Sequence, residues 1–185
     1  MPDQQARVFI SYSRRDSDFA KRVVNELGRH GRDIWVDWED INVAEDWLQA
    51  VYDGIEKTDT FLFITTRHSV MSEVCNLEIQ HARLHNKRII PIVRERIEGG
   101  LRDEVEAYWK STQWTEMGQQ NWTTLGHLNW LFFDNDTRFY AQLESLVQTI
   151  DTDLTHVKTH TRLLVRAREW EVNAESTSFL ANGEE

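Results

Sequence analysis

Short apolar runs and amphipathic stretches alternate along the first half of the chain. Runs rich in apolar residues predict β-strands at Val8–Tyr12, Asp33–Trp38, Thr60–Thr66 and Arg88–Val93. Pro91 cannot donate a backbone hydrogen bond, so it suits an edge or bulge position better than a central one. Strands separated by helices at short spacing predict a parallel sheet in an α/β layer fold.

Apolar residues at helical spacing predict the intervening helices. Asp16 or Ser17 is placed to cap the first helix, and Gly28 or Gly31 is placed to end it. Further helices are predicted at Asp46–Lys57, from Ser72 to about Asn86, at Leu101–Lys110, from Thr137 to about Thr152 and over roughly His156–Val172. Leu128–Phe133 predicts a fifth, edge strand, and Gln113–His127 is expected to be a Trp-containing loop region.

The helix that begins at Ser72 carries an unusual acid. At about 100° per residue, its apolar residues fall on one arc, and Glu78 projects inside that arc. Burying an unpaired charge is costly, so such a carboxylate should be paired, protonated or used. Without further information, a core-edge glutamate paired with Arg or Lys is the better interpretation, and a functional acid is the alternative.

Composition narrows the class of protein. The chain has 185 residues, of which 40% are hydrophobic and 28% charged, as in a globular domain. Its net charge of −10 argues against a general nucleic-acid binder. Cys75 is the only cysteine, so no intrachain disulfide can form. No signal peptide or membrane-spanning run is evident, and we expect a cytoplasmic protein.

The expected sheet order 2-1-3-4-5 places a ligand crevice between the carboxyl ends of strands 1 and 3. Ser11, Ser13 and Arg14 follow strand 1, and the helix with Glu78 follows strand 3, so these residues should be neighbours. The serines and the arginine could hold phosphates or ribose hydroxyls. Alternatively, the two serines bond the backbone and Arg14 is solvated.

Several motifs in order resemble one known family. These are VFISYSRRD, IWVDWEDI, TFLFITT, SEVCNLEIQHA and KRIIPIV. Together they resemble a TIR (Toll/interleukin-1 receptor) domain, a flavodoxin-like fold, over about residues 7–95 and more loosely to about 155. HLNWLFF and the last helix look like bacterial TIR domains at the head of large NTPase or WD-repeat proteins. We expect a TIR domain at 1–155 and a helical extension with a tail at 156–185.

The resemblance implies an activity, because many bacterial TIR domains cleave NAD+ at the nicotinamide–ribose bond. It implies that Glu78 is the catalytic residue, within a family motif whose Trp position is occupied here by Val74. It also implies that activity rises when domains assemble and complete the pocket. NAD+ is then a substrate, and no cofactor or metal is expected.

The resemblance adds further candidates for substrate binding. Trp47 matches an aromatic residue near the nucleotide, and the same position also suits simple packing at a helix start. Asp37 and Trp38 begin the loop Asp37–Glu45. The resemblance implies that this loop mediates self-association and gates the pocket. Cys75 also belongs to the motif, although its place on the buried arc suits a small core residue better than a nucleophile.

A different function class also fits the sequence. Some TIR domains signal by assembly without catalysis, and Val74 in place of Trp favours such a scaffold. His81 and His85 stand at i, i+4, but no third metal ligand is evident and a solvated helix face is the better interpretation. A basic run on the last helix suits solvent or domain packing, and consists of Lys158, Arg162, Arg166 and Arg168.

Overall fold

One parallel sheet organises the computed structural model, which describes residues 7–36, 45–152 and 154–172. Its strands are β1 Arg7–Ser11, β2 Asp33–Trp35, β3 Thr60–Thr65, β4 Arg88–Val93 and β5 Leu131–Phe132. The order is β2-β1-β3-β4-β5 and every pair is parallel, which confirms the predicted topology. All of β3 is buried, as expected for a central strand with helices on both faces.

Eight helices cover the sheet within the described ranges. They are α1 Ser17–Arg29, α2 Glu45–Lys57, α3 Arg67–Val70, α4 Glu73–Leu84, α5 Gly99–Lys110, α6 Thr115–Gly126, α7 Phe139–Asp151 and α8 Leu154–Val172. Alternate residues of a strand face opposite sides of a sheet. Accordingly, Val8 and Ile10 pack with α1 and α7, whereas Phe9 packs with α2 and α4.

The region predicted to be a Trp-containing loop, Gln113–His127, is instead mostly the helix α6. The buried residues of α6 are Gly118, Asn121 and Leu125. Because two of these three are not large apolar residues, the sequence shows no apolar pattern at helical spacing here. Trp109, on the preceding helix α5, is also buried in the core.

A buried amide pair joins α6 to α4 and explains the polar stripe. Asn121 Nδ2 donates to the backbone oxygen of Asn76 at 2.8 Å and to its Oδ1 at 3.0 Å. Arg83 donates to Asn121 Oδ1 at 2.9 Å. Buried polar groups are normally satisfied in this way, and the helix is thereby aligned by hydrogen bonds rather than by an apolar face alone.

Element ends follow local chemistry. The predicted cap of α4 is confirmed, because Ser72 Oγ accepts the backbone N–H of Cys75 at 3.3 Å. Gly31 has a φ of 71° and follows α1, as expected for a glycine that ends a helix. Asp16 precedes α1, but its carboxylate accepts from Thr66 Oγ1 at 2.6 Å instead of capping the helix.

Pro91 lies within β4, which is second from the edge of the sheet. Along its whole length β4 pairs with β3, whereas it pairs with β5 only at Ile92 and Val93. Pro91 therefore precedes the part of β4 that has strands on both sides among the described residues. The fifth strand is shorter than the predicted Leu128–Phe133.

The last helix, α8, packs on α2. Thr161 Oγ1 donates to the carbonyl of Thr58 at 3.3 Å, and Arg168 forms an ion pair with Glu56. Arg162 and Arg166, from the same basic run, are exposed. None of the described helices combines the length and the apolar character needed to cross a membrane.

Lys87 is a buried cation at the carboxyl end of α2. Its Nζ donates to the carbonyls of Glu56 at 2.6 Å and Thr58 at 3.0 Å, which would otherwise lack intrahelical partners. Burial lowers the pKa of Lys87 from 10.5 to about 8.

This depressed pKa gives a predicted pH dependence of stability. Between about pH 8 and 10.5, unfolding takes up a proton at Lys87, so the free energy of unfolding rises with pH relative to the Lys87→Met variant. At about 1.4 kcal/mol per pKa unit, the relative gain is at most about 3.5 kcal/mol. Urea unfolding of both proteins across this window measures it, and a constant difference between them would contradict the assignment.

Two helical glycines provide a matched test of packing. A Cβ on Gly54 would lie 2.8 Å from Trp35 Cε2, whereas a Cβ on Gly28 meets nothing within 4 Å. We expect Gly54→Ala to destabilise the fold by about 1–3 kcal/mol through overpacking. Gly28→Ala should stabilise it by up to about 1 kcal/mol through helix propensity. Thermal unfolding of both variants checks the pair, and equal effects would refute the close approach to Trp35.

Candidate active site

A cavity of about 290 Å³ opens where the carboxyl ends of β1 and β3 lie beside the amino-terminal parts of α2 and α4. This is the point at which the strand order reverses, the usual ligand position in an open parallel sheet. The residues that line it are Ile10, Tyr12, Ser13, Arg14, Arg15, Trp47, Ser72, Val74, Cys75 and Glu78.

Glu78 places a carboxylate inside this cavity. The residue is only 6% exposed, because α4 directs it inward beside the buried Cys75 and Ile79. Ser11, the last residue of β1, donates its hydroxyl to Glu78 Oε2 at 2.5 Å. This hydroxyl gives the buried carboxyl group a hydrogen-bond partner in place of water. The two sequence-predicted residues are therefore in direct contact.

The loop after β1 carries the other polar candidates. Ser13 Oγ accepts the backbone N–H of Arg15 at 3.4 Å, and the carbonyl of Ser13 accepts that of Asp16 at 2.7 Å. Ser13 thus bonds the backbone, whereas Ser11 bonds a carboxylate. Arg14 and Arg15 both line the cavity.

Cys75 contributes a protonated thiol. Its Sγ donates to the carbonyl of Tyr12 at 3.4 Å, which ties α4 to the residue that follows β1. Burial, reinforced by the negative charge of Glu78, raises the pKa of Cys75 to about 12. The thiolate needed for nucleophilic attack is therefore strongly disfavoured.

Trp47, in the first turn of α2, also lines the cavity. Asp37 and Trp38 lie outside the described residues, as does the loop Asp37–Glu45 up to residue 44. The cavity therefore brings together six of the eight candidate residues: Ser11 through its bond to Glu78, and Ser13, Arg14, Trp47, Cys75 and Glu78 in the wall itself.

Tyr12, Arg15 and Ser72 also line the cavity but were not predicted as site residues. Each is adjacent to a predicted feature, since Tyr12 and Arg15 flank the Ser13–Arg14 pair and Ser72 caps α4. The available signal was their position at the carboxyl end of a strand or the start of a helix. Tyr52, on α2, is close enough to Glu78 for its pKa to be raised, chiefly by burial and further by that charge.

A larger cavity of about 420 Å³ lies at the opposite end of the strands, near the amino ends of β1 and β2. Its charged lining residues include Arg7, Asp33 and Lys57, all of which are exposed. None of these three charged residues is buried. The larger volume of this cavity therefore does not make it a better candidate active site than the cavity that contains Glu78.

Comparison with known proteins settles the family. A sequence model described as the TIR domain matches residues 8–147. This chain belongs to the TIR-domain family. No curated protein sequence matches it significantly. Thus the order of strands and the motifs quoted above both agree with the family assignment.

Solved TIR domains share this fold at low sequence identity. The TIR domain of the Toll-related receptor TRR-2 from Hydra magnipapillata is 17% identical, with a TM-score of 0.57, covering 77% of this chain and 96% of that one. The TIR domains of the activated Roq1 resistosome are 13% identical, with a TM-score of 0.62, covering 79% and 99% respectively. At these identities, both comparisons show that the fold is shared and show nothing more specific.

The state of Cys75 gives a direct test of the site geometry. Because Cys75 is buried and its pKa is about 12, we expect thiol reagents to modify the folded protein at pH 8 far more slowly than the urea-unfolded protein. As the sole cysteine, it makes the reaction with a chromogenic disulfide unambiguous. Equally fast modification of both forms would contradict the buried, protonated thiol.

Proposed function

We propose that this TIR domain is an NAD+ nucleosidase that cleaves the nicotinamide–ribose bond, giving nicotinamide and ADP-ribose or a cyclic isomer of ADP-ribose. The observation that carries the proposal is the buried carboxylate of Glu78, hydrogen-bonded to Ser11 in a cavity at the carboxyl ends of β1 and β3. Membership of the TIR-domain family supports it.

One carboxylate is sufficient for this reaction. The bond between the ribose C1′ and the pyridinium nitrogen breaks with its electron pair on nitrogen, so nicotinamide leaves as a neutral molecule and needs no acid. Ordinary glycosidases need two carboxyl groups because their leaving oxygen must be protonated. Glu78 is the single carboxylate among the described residues that line the cavity, which suits the simpler requirement.

Glu78 then stabilises the transition state. As C1′ becomes cationic, a fixed anion beside the ribose lowers the energy of the oxocarbenium-like state. Ser11 holds the carboxylate through its hydroxyl and so fixes the direction from which the charge acts. Water, or a ring nitrogen of the adenine for a cyclic product, attacks C1′ to complete the reaction.

The remaining candidates bind the rest of the substrate. Arg14, with Ser13, contacts the diphosphate through a guanidinium that suits phosphate oxygens. Trp47 stacks on an aromatic ring of the substrate. A cavity of about 290 Å³ is at the small end of ligand pockets, so it holds the nicotinamide–ribose half, while the adenosine half extends beyond it.

Self-association completes the proposed mechanism. The Roq1 structure shows TIR domains within an activated resistosome. We propose that copies of this TIR domain likewise associate, with the loop Asp37–Glu45 at the contact, and that assembly raises activity. In this scheme the domain acts in bacterial immune signalling in the cytoplasm, as part of a larger effector or alone.

A scaffold without catalysis is the second candidate. Val74 lines the cavity where the family motif has Trp, so one wall lacks an aromatic surface for the ligand. A domain that has lost this surface would still assemble through its exterior. The two candidates differ in a single observable, which is turnover of NAD+ by the assembled protein.

We expect wild-type protein at high concentration to release nicotinamide from NAD+, and Glu78→Gln to lose about 100-fold or more of the rate by removing the charge beside C1′. Chromatography of the products measures both. Glu73→Gln is the matched control, because Glu73 lies on the same helix and is exposed.

Equal rates for wild type and Glu78→Gln would refute the role of Glu78. Concentration-dependent assembly of the wild-type protein with no nicotinamide release would refute the nucleosidase and support the scaffold. Circular dichroism of both variants confirms that a lost rate is not a lost fold.

A further inference from the structure

His81, in the last turn of α4, and His85, directly after the end of α4, both face α2. Only 15% of the His81 side chain and 32% of the His85 side chain are exposed, so the expected solvated face is wrong. Between them lies Glu56 of α2, whose side chain is 8% exposed. The third ligand that the sequence did not reveal is therefore present, 25 residues before His81.

The spacing of these three side chains matches a metal site. Glu56 Oε1 lies 2.8 Å from His81 Nε2 and 3.6 Å from His85 Nε2, and one ligand atom from each residue lies within 4.8 Å of the others. Zinc bonds of about 2.0–2.1 Å in a tetrahedron place ligand atoms about 3.3 Å apart. Changes of about 1.5 Å or less in the distances between these atoms would therefore bring all three to bonding distance of one ion.

Neighbouring groups hold the ligands in this arrangement. Tyr52 stacks on His81 with ring centroids 4.0 Å apart and an interplanar angle of 6°, which fixes the imidazole plane. The two oxygens of the Glu56 carboxylate have different partners: Oε1 faces the histidines, and Oε2 forms an ion pair with Arg168. Such outer contacts orient the ligands of metal sites.

The positive charge of Arg168 does not forbid a cation. Arg168 Nη1 also lies 3.3 Å from Asp53 Oδ1, so a second carboxylate offsets the guanidinium. The cation and Arg168 would bind different oxygens of Glu56, on opposite sides of the carboxylate. The imidazole and carboxylate donors suit Zn²⁺ or a similar first-row divalent ion, and they suit Mg²⁺ or Ca²⁺ poorly.

We propose that Glu56, His81 and His85 bind one Zn²⁺ ion per chain, with water as the fourth ligand. The ion replaces the proton shared by His81 Nε2 and Glu56 Oε1, and the imidazole keeps its remaining proton on Nδ1. This site lies apart from the candidate active site, and it does not depend on the proposed nucleosidase.

Occupancy would clamp α2 to α4. His81 follows Glu78 by three residues on α4, while Trp47 and Glu56 belong to α2. A bound ion therefore links the helix with the buried carboxylate to the helix with the cavity-lining Trp47. Because the ion binds the folded arrangement preferentially, it should raise the melting temperature with metal concentration.

Calorimetric titration of the metal-free full chain with Zn²⁺ alone tests the site, together with absorption spectroscopy using Co²⁺ as a probe. We expect one ion per chain, a concentration-dependent rise in melting temperature, and the visible bands of four-coordinate Co²⁺. His85→Ala and Glu56→Gln should each weaken binding by about 10-fold or more. His30→Ala, which removes an exposed histidine of another element, is the control and should bind as the wild type does.

Absence of saturable binding would overturn the proposal, and so would equal affinity in His85→Ala and the wild type. If one variant fails to fold, the other still decides, because Glu56→Gln keeps the shape of the side chain and His85 is the most exposed of the three. Octahedral Co²⁺ spectra would also contradict the three-ligand site with one water.

Discussion

The hydrogen bond between Ser11 and Glu78 is the constraint on which the arrangement of the domain depends. A carboxylate can be buried beside apolar strands only where a polar group offsets its loss of hydration. Ser11, the last residue of β1, supplies a hydroxyl that lies 2.5 Å from Glu78 Oε2. This contact joins residues 67 positions apart, so β1, β3 and α4 must all be in register before the charge is satisfied.

The two-sided core explains why that contact is rigid. Phe9 stacks between Trp35 and Phe61 across three adjacent strands on one face, while Val8 and Ile10 pack into the opposite face. Since β1 is held by side chains on both sides, the position of Ser11 is determined by the sheet rather than by a loop. A functional group placed on such an element keeps its direction when ligands enter.

Local patterns predicted the parts of the molecule that local forces determine. The apolar run of β3, the serine cap of α4 and the inward direction of Glu78 follow from residues within one or two turns, and the structure contains all three. The helix α6 escaped because Asn121 is buried by partners on α4, 38 and 45 residues away. The contact between Glu56 and His81 could not be predicted for the same reason, because sequence spacing does not show how α2 and α4 pack together.

Cations hold α2 firmly at its carboxyl end, where Lys87 binds its last carbonyls and Arg168 pairs with Glu56. Trp47 stands near the other end of the same helix. One continuous helix of roughly two and a half turns joins the two residues. A displacement of α2 at Glu56 would therefore be transmitted along the helix to the cavity wall that contains Trp47.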